Sequence, residues 1–250
     1  MRVVYGVNPV RELLRGGGQG PAELWLAEGG TRAASFAELE RMAREQGARV
    51  RAAPRPRLDR LAGTDHHQGV VAVVADYRYA ELADILEQAR TSGRPALVLV
   101  LDGVEDPQNL GAIVRSALAL GAHGVVIPRD RAVGVTPAAA KASAGAVERC
   151  PVARVVNVAK TIEALKAAGV WSVALAQDAK RPLRGLDLAG PTALVLGSEG
   201  EGLRPLVRRS CDLEARIPMG GDLESLSVAA AAAVGLYEVA RQRGVGEEGR

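Results

Sequence analysis

From residue 95 onward, short apolar segments alternate with segments whose apolar residues recur every three or four positions. The apolar segments have the length of buried strands, and the periodic segments have the spacing of helices that cover a core. The pattern predicts strands over residues 96–101, 124–127, 152–155, 170–176 and 192–196. It predicts helices over residues 109–120, 136–142, 157–168 and 225–241. Continuous apolar strands separated by amphipathic helices are typical of a parallel sheet covered on both faces, so we predict an α/β fold here.

The N-terminal part of the chain shows a shorter version of the same alternation. We predict a small α/β unit with helices over residues 9–15 and 35–46 and strands over residues 24–27, 49–53 and 69–75. Residues 54–56, Pro-Arg-Pro, are predicted to form a loop because alternating prolines do not continue a helix. The predicted organisation is a first domain over residues 1–76, a linker and hinge helix over residues 77–94, and a second domain over residues 95–250.

The chain is poor in aromatic residues and rich in small ones. Its 250 residues include 29 Gly but only 2 Trp, 4 Tyr and 1 Phe. The core must therefore consist of closely spaced aliphatic side chains, which suits helix-covered sheets better than aromatic-rich barrels.

The formal net charge of +3 comes from the first third of the chain. Residues 1–80 carry 12 basic and 9 acidic side chains, whereas the remaining residues carry equal numbers of each. Several arginines cluster near the second predicted strand, and these are Arg49, Arg51, Arg55, Arg57 and Arg60. Such a cluster is either a solvated face or a contact for an acidic partner.

Cysteine usage and hydropathy predict a soluble protein of a reducing compartment. Cys150 and Cys211 are too isolated for a disulfide framework, and the spacing of Cys and His does not suggest a metal site. The first residues lack the apolar stretch of a signal peptide, and the longest apolar run, residues 228–237, is too short to cross a bilayer. We therefore expect a cytoplasmic location, no membrane association and no metal.

Common enzyme signatures are absent from the sequence. The remaining candidates for a functional site are three segments at the ends of predicted strands. The first segment, residues 101–116, runs from a strand into a helix, with Asn109 as the expected N-cap. Arg115 lies off the apolar stripe of that helix among small neighbours. It is either an ordinary surface residue or a contact for a phosphate, a carboxylate or a partner chain. His123, in the turn that follows, is expected to be exposed.

The other two segments are glycine- and alanine-rich. Residues 194–203 place three glycines directly after a buried strand. They form either a plain tight turn or a loop that lets a ligand approach the backbone at the carboxyl edge of the sheet. Residues 217–228 lead into five consecutive alanines, which fit either a tight subunit interface or a helix buried under the sheet.

Together, these three segments resemble the three motifs of the SPOUT superfamily, in its TrmH-type branch of RNA ribose 2′-O-methyltransferases. Residues 121–128, residues 141–146 and Trp171 extend the resemblance within the second domain. Residues 5–10 and 67–72 resemble the ribosomal-protein-L30e-like substrate-binding domain of family members that methylate guanosine in 23S rRNA. The resemblance therefore covers almost the whole chain.

The resemblance implies a deep trefoil knot that holds S-adenosylmethionine in a bent form, mainly through main-chain groups. By motif position, Gly197, Ile217 and Leu226 would contact this cofactor. The polar residues of the active site would be Asn109, Arg115, Glu199 and Ser225. The resemblance also implies a homodimer with the site beside the subunit interface.

The resemblance gives the arginines of the first domain a function. We expect 23S rRNA to be the partner, contacted through shape and phosphates by Arg49, Arg51, Arg55 and Arg57, because aromatic residues for base stacking are few. We expect Arg115 to clamp the phosphate and the 2′-hydroxyl rather than act as a base, because a guanidinium stays protonated.

One position departs from the family pattern. The third motif usually reads Ser-Leu-Asn-Val, and here it reads Ser225-Leu226-Ser227-Val228. Serine lacks the paired donor and acceptor of the amide, so we expect weaker cofactor binding, a less ordered site, or a water in the gap. The alternatives left open are a tRNA methyltransferase, a methyltransferase that confers antibiotic resistance, and an RNA-binding ribosome assembly factor that has lost its activity.

Overall fold

The computed structural model describes residues 1–16, 20–29, 33–221 and 225–246. Residues 222–224 of the third motif therefore lie outside the described residues. The strands are β1 (Arg2–Tyr5), β2 (Glu23–Ala27), β3 (Arg49–Ala53), β4 (Val70–Val74), β5 (Leu97–Asp102), β6 (Gly124–Pro128), β7 (Val152–Val155), β8 (Trp171–Leu175), β9 (Thr192–Gly197) and β10 (Leu213–Ala215). The helices are α1 (Val7–Arg15), α2 (Ala33–Glu45), α3 (Arg55–Ala62), α4 (Leu82–Thr91), α5 (Pro107–Ala119), α6 (Pro137–Ala142), α7 (Val158–Ala167), α8 (Pro205–Ser210) and α9 (Val228–Gln242). Within the described ranges, no helix is both long and apolar enough to cross a bilayer.

The first sheet has four strands in the order β1-β4-β2-β3. Strands β2 and β3 are parallel, whereas β4 runs antiparallel to both β1 and β2. Its aliphatic core includes the buried side chains of Val4, Leu24, Leu39 and Val70. Strand β1 is absent from the prediction because only one of its four residues is buried, which leaves a short segment with little apolar pattern.

The second sheet has six strands in the order β10-β8-β9-β5-β6-β7, and all its pairs are parallel. The predicted α/β fold with a parallel sheet is therefore confirmed. In this strand order, Asp102 at the end of β5 pairs with Gly197 at the end of β9. Two segments that are far apart in the sequence thus end side by side at the carboxyl edge of the sheet.

The Pro-Arg-Pro segment begins a helix rather than forming a loop. Pro54 is the extended N-cap residue of α3, with φ −63° and ψ 147°, and Pro56 lies in the first turn. A proline in the first turn costs no hydrogen bond, because the N–H groups there have no partner within the helix. The sequence prediction was wrong because it treated these prolines as interior residues.

Two predictions near α5 are also wrong. The N-cap of α5 is Asp106, whose carboxylate accepts a hydrogen bond of 3.0 Å from the Gln108 N–H, so Asn109 lies inside the first turn. His123 is buried rather than exposed. Its Nδ1 accepts a hydrogen bond of 3.0 Å from the Leu97 N–H, which places the imidazole under the start of β5.

Polar contacts join the first sheet and its helices to the helix α6 and the turn after it. Arg2 donates two hydrogen bonds of 2.7 Å to Glu148, and both side chains are largely buried. Lys141 donates to the His66 carbonyl at 2.6 Å. Gly145 has φ +91°, and a Cβ there would lie 2.9 Å from the Pro9 Cα. The small residues of segment 141–146 therefore allow the two parts of the chain to approach closely.

Candidate active site

Two adjoining cavities lie at the carboxyl edge of the second sheet. The first, of about 510 Å³, is lined by the loop after β5, the start of α5, the loop after β6 and the turn after β9. The second, of about 440 Å³, lies against the ends of β8 and β9 and the segments that lead into α9. Both are lined by Ser198, Glu199, Gly202 and Val228. The turn after β9 is therefore a common wall, at the edge where open α/β sheets bind ligands.

A tight turn forms this wall. The Ser198 N–H donates to the Gly202 carbonyl and the Gly202 N–H donates to the Ser198 carbonyl, each at 3.1 Å. A Cβ on Gly197 would lie 2.0 Å from the Gly202 carbonyl carbon, so only glycine fits there. The two alternatives for this segment are thus compatible, because it is a tight turn that also presents its backbone to both cavities.

The N-terminus of α9 lies against the same wall. The Val228 N–H donates to Glu199 Oε1 at 3.2 Å, and the Ala230 N–H donates to Ser227 Oγ at 3.2 Å. Two N–H groups that have no partner within the helix are therefore satisfied by side chains. Ser227 is the N-cap, and serine and asparagine perform that function about equally well. Ser227, which stands where the family pattern has asparagine, therefore still caps the helix.

A buried ion pair that the sequence analysis missed supports the first cavity. Asp102 is 2% exposed at the end of β5. Its Oδ2 accepts from the Arg204 N–H at 3.0 Å and its Oδ1 accepts from Arg204 Nε at 2.8 Å, with a further bond from the guanidinium. These hydrogen bonds raise the pKa of Arg204 above its ordinary value. The signal in the sequence is a lone carboxylate that ends an otherwise apolar strand.

The structure brings six of the seven predicted catalytic and cofactor residues to the two cavities. Asn109 lines the first cavity and Glu199 lines both. The second cavity is lined by Gly197, Ile217, Ser225 and Leu226. Arg115 is exposed on α5 and lines neither cavity of its own chain.

The four predicted RNA-binding arginines differ in their surroundings. Arg51 and Arg57 lie over the Trp25 ring, at 5.3 and 4.6 Å from its centroid, and Arg51 also pairs with Glu23 at 3.2 Å. Arg49 is exposed on β3. Arg55 instead lines a separate cavity of about 580 Å³, which includes Lys141 of α6. That larger cavity contains none of the predicted catalytic residues.

Metal ligation has no support in the described part of the chain. No group of three or more His, Cys, Asp or Glu side chains among those residues is arranged to hold a metal ion. The parallel sheet and the two adjoining cavities define an α/β protein with a two-part ligand site at the carboxyl edge of the sheet.

Comparisons with known proteins identify the family. The model of the SpoU rRNA methylase family matches residues 96–237, and the model for RNA 2′-O ribose methyltransferase substrate binding matches residues 3–80. The chain belongs to the SpoU rRNA methylase family. The predicted family and the predicted class of enzyme, an RNA ribose methyltransferase, are thereby confirmed.

Relatives match over nearly their whole length. YacO of Bacillus subtilis, named as a TrmH family tRNA/rRNA methyltransferase, is 45% identical over 245 residues, covering 98% of this chain and 97% of the relative. The 23S rRNA (guanosine-2′-O-)-methyltransferase RlmB of Xylella fastidiosa is 43% identical over 240 residues, covering 96% of each chain.

Crystal structures show the same likeness. The SpoU methyltransferase AviRb from Streptomyces viridochromogenes, in complex with the cofactor AdoMet, superposes with a TM-score of 0.80 at 31% identity, covering 98% of this chain and 91% of that one. An AdoMet-bound rRNA methyltransferase from Sinorhizobium meliloti superposes with a TM-score of 0.78 at 26% identity, covering 96% and 87% of the two chains.

Proposed function

We propose that this chain transfers a methyl group from S-adenosylmethionine to the ribose 2′-hydroxyl of a guanosine in 23S rRNA. The observation that supports this most directly is the pair of cavities that share the Ser198–Gly202 turn, because a methyl transfer needs a donor site beside an acceptor site. The named activity of the Xylella fastidiosa relative supports guanosine in 23S rRNA as the acceptor.

The second cavity fits S-adenosylmethionine. Its volume of about 440 Å³ lies in the range of small-molecule sites, and apolar side chains such as Leu196, Ile217 and Leu226 line it beside the exposed backbone of the glycine turn. Ser225 and Gln177 add polar groups. We propose that Gly197, Ile217 and Leu226 hold the cofactor, which supplies an activated methyl group when it is bound.

The first cavity would receive the acceptor nucleotide. The side chain of Asn109 lies there with the Arg204–Asp102 pair, and Glu199 reaches it from the shared wall. We propose that Asn109 orients the ribose in this cavity and that Ser225 helps to hold the substrate from the adjoining second cavity. Glu199 acts as a positioning residue through its bond to the α9 N-terminus. The hydroxyl proton would pass to phosphate or water, since a guanidinium stays protonated.

We propose that the active form is a homodimer in which Arg115 of one chain reaches the site of the other. Arg115 is exposed on α5 and lines neither of these two cavities of its own chain. The neighbouring helix α9 exposes Val234 and Tyr237, which are 41% and 62% accessible. Apolar side chains exposed on one face support an interface with a second copy.

The remaining predictions are kept as proposals. They are the division at residues 1–76, 77–94 and 95–250, the L30e-like character of the first domain, the trefoil knot, and a cytoplasmic location. The match of residues 3–80 to a substrate-binding model supports RNA binding by the first domain. We propose contacts by Arg49, Arg51, Arg55 and Arg57, and Arg55 lies beside the cavity of about 580 Å³.

Methylation mapping tests the proposed function. Ribose 2′-O-methylation is mapped across rRNA and tRNA from cells with and without the gene. We expect one guanosine of 23S rRNA to lose its methyl group in the deletion strain and to regain it when purified protein and S-adenosylmethionine are added to the unmodified rRNA. A methyl group lost only from tRNA would contradict the rRNA substrate. Calorimetry that detects RNA binding without cofactor binding would support a factor that has lost its activity.

A further inference from the structure

The first cavity is strongly acidic for a site that must accept RNA. Six Asp and Glu residues and two arginines line it. A ribose acceptor carries a phosphodiester on each side, and carboxylates repel those phosphates. A nucleotide therefore needs a positively charged side chain in the cavity wall that offsets this repulsion of its phosphates.

The two arginines have different surroundings. Arg204 is held by the buried Asp102 through its backbone N–H and its guanidinium. Arg131 is exposed, and among the described residues its guanidinium has no ion pair or hydrogen bond. Arg131 is thus the lining cation that remains available to an anionic ligand.

The backbone fixes Arg131 at an unfavourable conformation. Its φ is 55°, a left-handed value shared among described non-glycine residues only by Gln68 and Ala144. The loop is held on one side by the Val133 N–H, which donates to the Val104 carbonyl at 2.9 Å, and on the other by the Arg129 N–H, which donates to the Val155 carbonyl at 2.7 Å. A strained residue held from both sides beside a cavity is typical of functional sites.

We propose that Arg131 binds a phosphodiester oxygen of the acceptor nucleotide and thereby positions the ribose in the first cavity. The inference rests on the proposed function and adds a residue outside the three motifs. A guanidinium offers paired donors that match two phosphate oxygens. Arg131 is a substrate-binding residue in this account and takes no proton.

The test uses Arg131→Gly, because glycine accepts the left-handed backbone and removes only the side chain. The matched control is Arg129→Ala, which removes the same charge two residues away from an exposed position that does not line the cavity. Binding of a 23S rRNA transcript is measured at several salt concentrations, with S-adenosylmethionine affinity and methyl-transfer kinetics measured on the same preparations.

We expect Arg131→Gly to raise the KM for RNA about tenfold and to reduce the slope of log affinity against log salt by about one, as expected for one lost phosphate contact. We expect S-adenosylmethionine affinity to stay at the wild-type value. Arg131→Lys should recover part of the RNA affinity, because it restores the charge without the planar pair of donors. Arg129→Ala should keep the wild-type KM.

Two results would overturn the inference. One is an Arg131→Gly enzyme with the wild-type KM and salt slope, and the other is an Arg129→Ala enzyme that loses as much affinity as Arg131→Gly. Failure of the proposed function appears elsewhere, as a wild-type enzyme that does not methylate 23S rRNA. The two failures are therefore distinguishable.

Discussion

Hydrogen bonds fix the tautomer of the buried His123. Nδ1 accepts from the Leu97 N–H at 3.0 Å, so the ring proton lies on Nε2, which is 3.0 Å from Ser92 Oγ. The Ser92 hydroxyl in turn donates to the Ala89 carbonyl at 2.8 Å. Burial lowers the pKa of His123, and the positive charges of Arg94 and Arg243 lower it further. The neutral imidazole is therefore the folded form.

This protonation state predicts a pH dependence of stability. The folded-state pKa of His123 lies below its ordinary value of about 6.5, so the unfolded chain binds the proton more readily in the window below about 6.5. The stability that this group contributes is fully present above that window and is lost as the pH falls through it. Urea denaturation of the wild type at pH 8 and pH 5 should show the loss.

A pair of histidine variants isolates the effect. His123→Gln should be less stable than the wild type at pH 8 by about 1–2 kcal/mol, because a buried hydrogen bond is lost, but its stability should change less between pH 8 and pH 5. His66→Gln is the control, since His66 is exposed, and it should keep the wild-type pH dependence. Equal pH dependence in all three proteins would contradict the assignment.

At the scale of elements, the N-terminus of α9 connects the second cavity to the glycine turn. Ser227 caps the helix from within the third motif, and Glu199 of the turn accepts a bond from the next residue, Val228. The helix therefore holds Glu199 in place, and Glu199 holds the helix against the turn. Residues from two distant motifs depend on each other for their positions.

Substitutions at Ser227 test this dependence. Ser227→Ala should cost about 1 kcal/mol of unfolding free energy because the cap is lost, and it should weaken S-adenosylmethionine binding. Ser227→Asn restores the usual family residue and should keep both values close to those of the wild type. Denaturation and calorimetry measure the two quantities. A large gain in cofactor affinity in Ser227→Asn would show instead that the amide makes a cofactor contact that serine lacks.

At the scale of the whole molecule, Arg115 lies apart from the two cavities of its own chain. The other predicted active-site residues line the two cavities, whereas Arg115 is exposed on α5, the helix that packs beside α9. The exposed arginine and the exposed Val234 and Tyr237 lie on neighbouring helices, which supports the proposed interface between two copies.

Mixed dimers test whether Arg115 acts in the partner's site. Arg115→Ala and Asn109→Ala should each be inactive alone, but co-refolding equal amounts should restore up to about a quarter of wild-type activity, because half the dimers then hold one intact site of two. Val234→Glu should give monomers and abolish this recovery, whereas Val156→Glu, at another exposed valine, should not. No recovery would place Arg115 in the site of its own chain.

The sequence by itself determined five of the six strands of the second sheet and the segments that bear chemistry. Apolar runs and helical periodicity are local properties, so β5 to β9 were predicted to within one or two residues. Elements with weak local patterns were missed, such as the half-exposed β1 and the short β10. The first turn of α3 was misassigned because the same prolines that break a helix also begin one.

Only the tertiary structure decided which of these segments meet. Pairing of β5 with β9 brings Asp102 beside Gly197, and the Ser198–Gly202 turn that follows forms the wall shared by the two cavities. Burial and charge pairing then give the arginines different surroundings. Arg204 is held by Asp102, Arg51 and Arg57 lie on Trp25, and Arg131 has no partner among the described residues. In the sequence these arginines are equivalent, because each carries the same charge. They differ only in the contacts that the folded chain gives them, and those contacts determine which guanidinium can bind a ligand.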